Sequence, residues 1–162
     1  MSQTAILAAG CFWGVQYYFD QVPGVVETEA GYTGGHTSYP TYEQVSSHMT
    51  GHAEAVKIIF DPQVINYETL LKQFFRMHDP TQQNRQGPDI GEQYRSAIFY
   101  LDAAQKAAAE RQINAINASN KYSRRLATSL EPAGRFWPAE DYHQKFTQRT
   151  GRGMCHIPYA AV

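Results

Sequence analysis

The sequence predicts an α/β (α+β) fold of two layers, a mixed β-sheet with helices packed on it. Three observations carry this expectation. Apolar runs alternate with helix-period segments in the first third of the chain, which implies a βα crossover. Two strong strand patterns, at 52–60 and 94–101, flank an amphipathic helical segment. The 162 residues contain no repeat, low-complexity tract or linker, so one domain spanning 1–162 is expected.

The elements follow in order. Residues 5–9, Ala-Ile-Leu-Ala-Ala, form a continuous apolar run that reads as a buried strand. Phe12, Val15 and Phe19 then fall at helical spacing, which puts Cys11 at or near a helix N-terminus. Pro23-Gly24 makes a turn into a strand at 25–30, and the glycine-rich 31–36 segment reads as a loop. It lacks the Gly-Lys-Ser/Thr ending of a phosphate loop. Residues 40–45 suit a short helix capped by Thr41. In the strand at 52–60, period two sets Glu54 with Val56 and Ile58 and puts Lys57 on the other face.

Asn66 caps a helix through His78 whose Leu70, Leu71, Phe74, Phe75 and Met77 form a broad apolar face. The polar stretch 79–93 follows, long for a structureless connection and therefore a candidate functional loop. After the strand at 94–101, Asp102 and Gln105 make a capping-box pattern for a helix to about Asn117. A last strand at 126–130, a loop at 132–138 and a short helix at 139–148 precede a glycine-rich tail, which reads as irregular and mobile over 149–162.

Bulk properties exclude several classes. A net charge of −1 gives no electrostatic case for nucleic acid or an anionic membrane. No stretch approaches the ~20 apolar residues of a membrane span, and the start lacks the charged head of a signal peptide. A cytoplasmic protein is the expectation, and nothing demands more than a monomer. The 11 Tyr, 8 Phe and 2 Trp suit a small pocket with polar tips, although each tyrosine can equally be core edge.

The chain has two cysteines, Cys11 and Cys155. A thiol at a helix N-terminus tends toward the reactive thiolate, whereas most free cysteines are small buried hydrophobes. Glu54 reads either as an inward carboxylate able to hold a proton or as a partly exposed strand-end residue. The histidines, His36, His48, His52, His78, His143 and His156, have no metal-ligand spacing: His48 and His52 enclose Gly51 and no glutamate. A Cys-His hydrolase finds no local pattern. A thiol redox enzyme needs an attacking thiol, an acid, a pocket and a second thiol, and Cys11, Glu54, the aromatics and Cys155 supply those types. Cys155 on the tail could swing to Cys11 or be an idle exposed thiol. A peptide-binding module, needing neither cysteine, is the competing class.

Several stretches, taken in order, carry a resemblance. They are Gly-Cys-Phe-Trp-Gly (10–14), Gly-Tyr-Thr-Gly-Gly (31–35), Thr-Gly-His-Ala-Glu (50–54), His-Asp-Pro-Thr (78–81), the run from Asn84 to Ser96, and Ala-Glu-Asp-Tyr-His-Gln (139–144). Together they resemble the A-type peptide methionine sulfoxide reductases. The resemblance implies a ferredoxin-like-type core with an irregular C-terminal tail. It implies that Cys11 attacks the sulfoxide sulfur and that Glu54 donates to its oxygen, which Tyr42 and Tyr94 help to hold. It implies that Phe12 and Trp13 wall the pocket for the ε-methyl and that Asp89 binds the substrate backbone. The implied substrates are S-epimer methionine sulfoxides, free or in proteins. No metal or organic cofactor is implied, and thioredoxin is the usual reductant. Cys155 would resolve the Cys11 sulfenic acid as a disulfide. Two departures stand out: many relatives carry a cysteine where this chain reads Val45-Ser46-Ser47, and cysteine placement in the tail varies.

Overall fold

A computed structural model of the chain describes residues 1–153. Its elements are β1 (Gln3–Ala9), α1 (Phe12–Asp20), β2 (Val25–Thr33), α2 (Tyr42–Ser46), β3 (Ala53–Phe60), α3 (Tyr67–Arg76), β4 (Arg85–Gln86), β5 (Asp89–Ile90), β6 (Ser96–Tyr100), α4 (Ala103–Ser119), β7 (Ser129–Pro132), β8 (Trp137–Pro138) and α5 (Phe146–Thr150), with 3-10 turns at Glu92–Tyr94 and Asp141–His143.

Six strands form one sheet in the order β7-β6-β1-β3-β2-β8. Every neighbouring pair is antiparallel except β6 with β7, so the sheet is mixed. Its middle, β6-β1-β3-β2 connected through α1 and α3, is the βαββαβ arrangement of a ferredoxin-like core. The alternation of side chains along the strands makes two apolar layers. Ala5, Leu7 and Ala9 of β1 and Val56, Ile58 and Phe60 of β3 face the helices, meeting Phe12, Val15 and Phe19 of α1 and Leu70, Leu71 and Phe74 of α3. Ile6, Ala8, Ala53, Ala55, Ala97 and Phe99 face the other way, where Ala133 and Phe136 cover them. Each fully buried Leu, Ile or Phe is worth about 1.5–3 kcal/mol, so the helix side carries most of the stabilisation.

The caps behave as their chemistry requires. Thr41 accepts from Gln44 N–H while the Gln44 side chain accepts from Thr41 N–H, a complete capping box. Asn66 accepts from Thr69 N–H. Asp102 accepts from Gln105 N–H, but the Gln105 side chain accepts from Leu101 N–H and donates to the Thr4 carbonyl instead of closing the box.

Several boundaries differ from the sequence expectation. The strand expected to end at Ala30 continues as β2 to Thr33, because Gly31, Tyr32 and Thr33 pair with Ala55, Glu54 and Ala53. Gly31 suits that edge: an added Cβ would lie 2.4 Å from the Phe136 ring, where the chain crosses to form β8. The expected loop at 132–138 contains β8, which pairs with β2 at Tyr32↔Trp137 and Gly31↔Pro138. The polar stretch 79–93 holds the β4–β5 hairpin and most of a 3-10 turn, so Tyr94 ends that turn and β6 begins only at Ser96. The last strand expected at 126–130 is β7, shifted to pair in parallel with β6 from Ala97↔Ser129. The helix expected over 139–148 is broken: Lys145, at φ 57°, separates the 3-10 turn from α5. Arg149 and Thr150 close α5, and the tail expectation beyond Gly153, Cys155 included, lies outside the described residues.

Candidate active site

The site forms where β1 ends. The apolar run of β1 terminates at Gly10, whose φ of 96° is the left-handed region that a residue with a Cβ avoids. That bend delivers Cys11 to the N-cap position of α1, with φ −52° and ψ 120°. The sequence-predicted place of Cys11 is therefore observed. Cys11 is 8% exposed. The first N–H groups of a helix lack intrahelical partners, and one of them is met from across the sheet. Phe12 N–H donates to Glu54 Oε1 at 3.1 Å.

The register explains why Glu54 reaches that spot. β1 pairs with β3 through Leu7↔Val56, and extending the same antiparallel count sets Ala9 opposite Glu54. Glu54 points to the helix side with Val56 and Ile58, as period two requires, and is 1% exposed. Of its two sequence readings, the inward carboxylate is the one observed.

Tyr42 opens α2 and Tyr94 ends the 3-10 turn before β6. Burial pushes the phenol of Tyr42 up from its ordinary value and the Glu54 carboxylate pushes it further, with Ser46 and Tyr94 opposing the rise. Tyr94 is raised more strongly, by burial first and then by Glu54, Tyr42, Cys11 and Asp89. Both phenols therefore keep their protons around neutral pH and act as donors. These mutual effects place Cys11, Glu54, Tyr42, Tyr94 and Asp89 in one electrostatic neighbourhood, with Asp89 at the start of β5.

Phe12 and Trp13 add aromatic rings beside Cys11. Phe12 is 1% exposed, and its ring lies 5.5 Å from that of Tyr32 and 5.2 Å from His143. Trp13 stacks on Phe146 at 3.9 Å between centroids and 17° between planes. Its indole N–H donates to His143 Nδ1 at 2.8 Å. An Nδ1 that accepts fixes the neutral tautomer protonated on Nε2, and burial lowers the His143 pKa despite the opposing pull of Glu140 and Glu43. The ring of Tyr42 sits 4.6 Å from that of His143.

The 139–145 segment does more than the sequence alone revealed. Glu140 accepts from the Tyr32 hydroxyl at 2.8 Å and from Tyr42 N–H at 2.9 Å. Burial would raise its carboxyl, but those hydrogen bonds and His143 hold it below the usual value. Gln144 accepts from Ala30 N–H at 2.9 Å and donates to the Ala30 carbonyl at 2.8 Å, continuing the edge where β8 stops. Gln16 of α1 accepts from Lys145 N–H at 2.8 Å, and the Lys145 ammonium meets Asp20 at 2.8 Å. The motif Ala-Glu-Asp-Tyr-His-Gln was visible in the sequence, but its contacts join positions 98 to 130 residues apart and have no local period.

Among the described residues, no group of three or more His, Cys, Asp and Glu is arranged to hold a metal ion, and no helix is long and apolar enough to cross a membrane. The chemistry on offer is a helix-start thiol, a buried carboxyl bonded to the N–H of the next residue, and two phenols, set among the rings of Phe12, Trp13 and His143. Fold and site together define a thiol-dependent oxidoreductase on a ferredoxin-like sheet.

Comparison with known proteins makes this specific. Residues 3–162 match the model of the peptide methionine sulfoxide reductase family. Peptide methionine sulfoxide reductase MsrA of Methanothermobacter thermautotrophicus is 48% identical over 155 residues, 96% of this chain and 92% of that protein. Methionine sulfoxide reductase A of Corynebacterium diphtheriae has a similar structure, with TM-score 0.82 and 33% identity over 98% of this chain and 84% of that one. Mxr1 of Saccharomyces cerevisiae in reduced form gives TM-score 0.86 and 32% identity over 99% and 89% of the two chains. The same yeast protein in complex with Trx2 aligns with TM-score 0.61 and 24% identity over 90% and 84%, a likeness of fold. The chain belongs to the peptide methionine sulfoxide reductase family, and its activity is the thiol-dependent reduction of methionine sulfoxide.

Proposed function

We propose that Cys11 is the nucleophile, Glu54 the proton donor, and Tyr42 and Tyr94 the oxygen-holding groups in the reduction of methionine S-sulfoxide, free or in peptides. The observation that carries this reading is the bond from Phe12 N–H to Glu54 Oε1, which sets a buried carboxyl against the residue that follows Cys11. The thiolate of Cys11 attacks the sulfoxide sulfur. As the S–O bond breaks, the oxygen becomes more basic, so a donor beside it is worth more in the transition state than in the ground state. Glu54 gives its proton to that oxygen, the resulting hydroxyl bonds to the Cys11 sulfur as the bond between Cys11 and the substrate sulfur breaks, and methionine leaves Cys11 as the sulfenic acid. Phe12 and Trp13 hold the ε-methyl, and Asp89 takes a backbone N–H of the substrate. No metal or organic cofactor takes part.

Cys155 then attacks the Cys11 sulfur, releasing water and forming a disulfide. The path of the tail supports this. Gly153, at φ 74°, passes so close to Trp13 that an added Cβ would lie 2.7 Å from its ring. Two further residues, reaching about 7 Å when extended, lead to Cys155. A dithiol reductant of the thioredoxin class reopens the disulfide by exchange, as the yeast relative's complex with Trx2 suggests for this chain. One domain acting as a monomer carries the whole cycle, and a reducing cytoplasm supplies the reductant.

The test uses Cys155→Ser. With one equivalent of methionine S-sulfoxide this variant forms one equivalent of methionine and a Cys11 sulfenic acid that dimedone traps, yet it does not turn over with thioredoxin. Normal cycling with thioredoxin contradicts the role of Cys155, and a dimedone adduct absent from Cys11 contradicts its role as nucleophile.

A further inference from the structure

Tyr42 faces a positioning problem. It opens α2, a helix of only five residues, Tyr42–Ser46, set between irregular segments. So short a helix does not hold its own place, and the Thr41 capping box only satisfies groups within it. Val45 anchors one side of it in the core. The link to the sheet at its first residue comes from Glu140, which takes the Tyr42 N–H at 2.9 Å on one carboxylate oxygen and the Tyr32 hydroxyl at 2.8 Å on the other. Tyr32 is fixed in β2 with no exposed surface. Glu140 is itself fixed: β8 pairs with β2 just before it, and Ala139 N–H donates to the Ala30 carbonyl at 2.9 Å.

We propose that Glu140 is a positioning residue for the reduction, bridging Tyr32 and the Tyr42 backbone so that the Tyr42 phenol stays beside Glu54 and Tyr94. This rests on the proposed oxygen-holding role of Tyr42. Hydrogen bonds to an ionised acceptor are stronger than neutral ones, and both Glu140 oxygens are used in this way. The contribution belongs to the chemical step: a displaced phenol still leaves the methyl pocket of Phe12 and Trp13 intact.

A double-mutant cycle on the first turnover tests it. Glu140→Ala slows sulfenic acid formation about tenfold with KM within about twofold, the size of one lost charge-assisted bond. Glu140→Gln rescues most of the rate, because its amide accepts from Tyr42 N–H and donates to the Tyr32 oxygen. In a Tyr42→Phe background, Glu140→Ala costs less than about twofold more. Thermal unfolding is followed in parallel, and if Glu140→Ala does not fold, Glu140→Asp, too short to bridge, takes its place. A full loss repeated in the Tyr42→Phe background, or Glu140→Gln as slow as Glu140→Ala, overturns the inference and leaves the reading of Tyr42 standing. Tyr42→Phe alone at the wild-type rate overturns that reading, and the inference with it.

Discussion

The site has two halves of different construction. One half, Cys11, Phe12, Trp13 and Glu54, grows from the ends of β1 and β3 and the start of α1. The other half, Tyr42, Tyr94, Glu140 and His143, sits on α2, two 3-10 turns and the second residue after β8. The first is placed by sheet register and core packing, which tolerate little displacement. The second is placed by hydrogen bonds between groups distant in sequence, such as the Tyr42 N–H to Glu140 and the Trp13 indole N–H to His143. The division follows the chemistry. Cys11 and Glu54, proposed here to make and break bonds, stand on the rigid half beside the rings of Phe12 and Trp13, and Tyr42 and Tyr94, proposed to hold the oxygen, stand on the adjustable half.

Substitutions should separate the halves by size of effect. The largest belongs to Cys11→Ser, which abolishes formation of methionine from its S-sulfoxide; a rate near wild type breaks the assignment outright. Next is Glu54→Gln, which keeps much of the hydrogen bonding but loses the proton. It should slow the sulfenic acid step by about 10²–10⁴-fold while weakening substrate binding far less. An unchanged single-turnover rate would remove Glu54 from the acid role.

On the adjustable half the losses shrink. His143→Phe keeps an aromatic ring but leaves the Trp13 N–H without its acceptor, a cost of about 1–3 kcal/mol shared between pocket order and stability. A drop of about tenfold in kcat/KM is expected, read by steady-state kinetics on a peptide sulfoxide. A drop as deep as that of Glu54→Gln would erase the distinction between the halves.

The smallest effect concerns pH and stability. The folded-state pKa of His143 lies below its ordinary value, because burial disfavours the cation. The unfolded chain therefore binds the proton first, and stability contributed by neutral His143 is lost as pH falls from about 6.5 toward the folded-state value. Glu140 is also depressed in the folded state, so its contribution persists to lower pH and is lost as pH falls through its own folded-state value. Melting temperature should fall on acidification from pH 7 to pH 5, and His143→Gln should flatten that slope by roughly 2–4 °C. An equal slope in the variant would show that His143 does not titrate on unfolding.

The rigid half was largely legible in the sequence. Alternation set Glu54 on the face of Val56 and Ile58 without deciding whether a strand-end carboxylate there is inward or exposed, and an apolar run meeting a helical pattern placed Cys11 at a helix start, because period two and period 3.6 are local signals. Tyr42 and Tyr94 came through family resemblance, and the local pattern even misplaced Tyr94 in a strand. β8, two residues long, has no period to read. Glu140, His143 and Gln144 act through partners 98 to 130 residues away, a separation that no window of sequence registers. The Gln105 side chain shows the same limit on a smaller scale, since the pattern fitted a capping box while the Thr4 carbonyl took its amide.

The central claim is that Cys11 takes oxygen from the sulfoxide and passes its oxidation to Cys155. Mass spectrometry of the reduced protein after one equivalent of methionine S-sulfoxide tests this most directly. The predicted result is one equivalent of methionine, a chain lighter by two hydrogens, and a single cross-linked peptide pair containing Cys11 and Cys155. A chain of unchanged mass with both thiols still open to alkylation would contradict it.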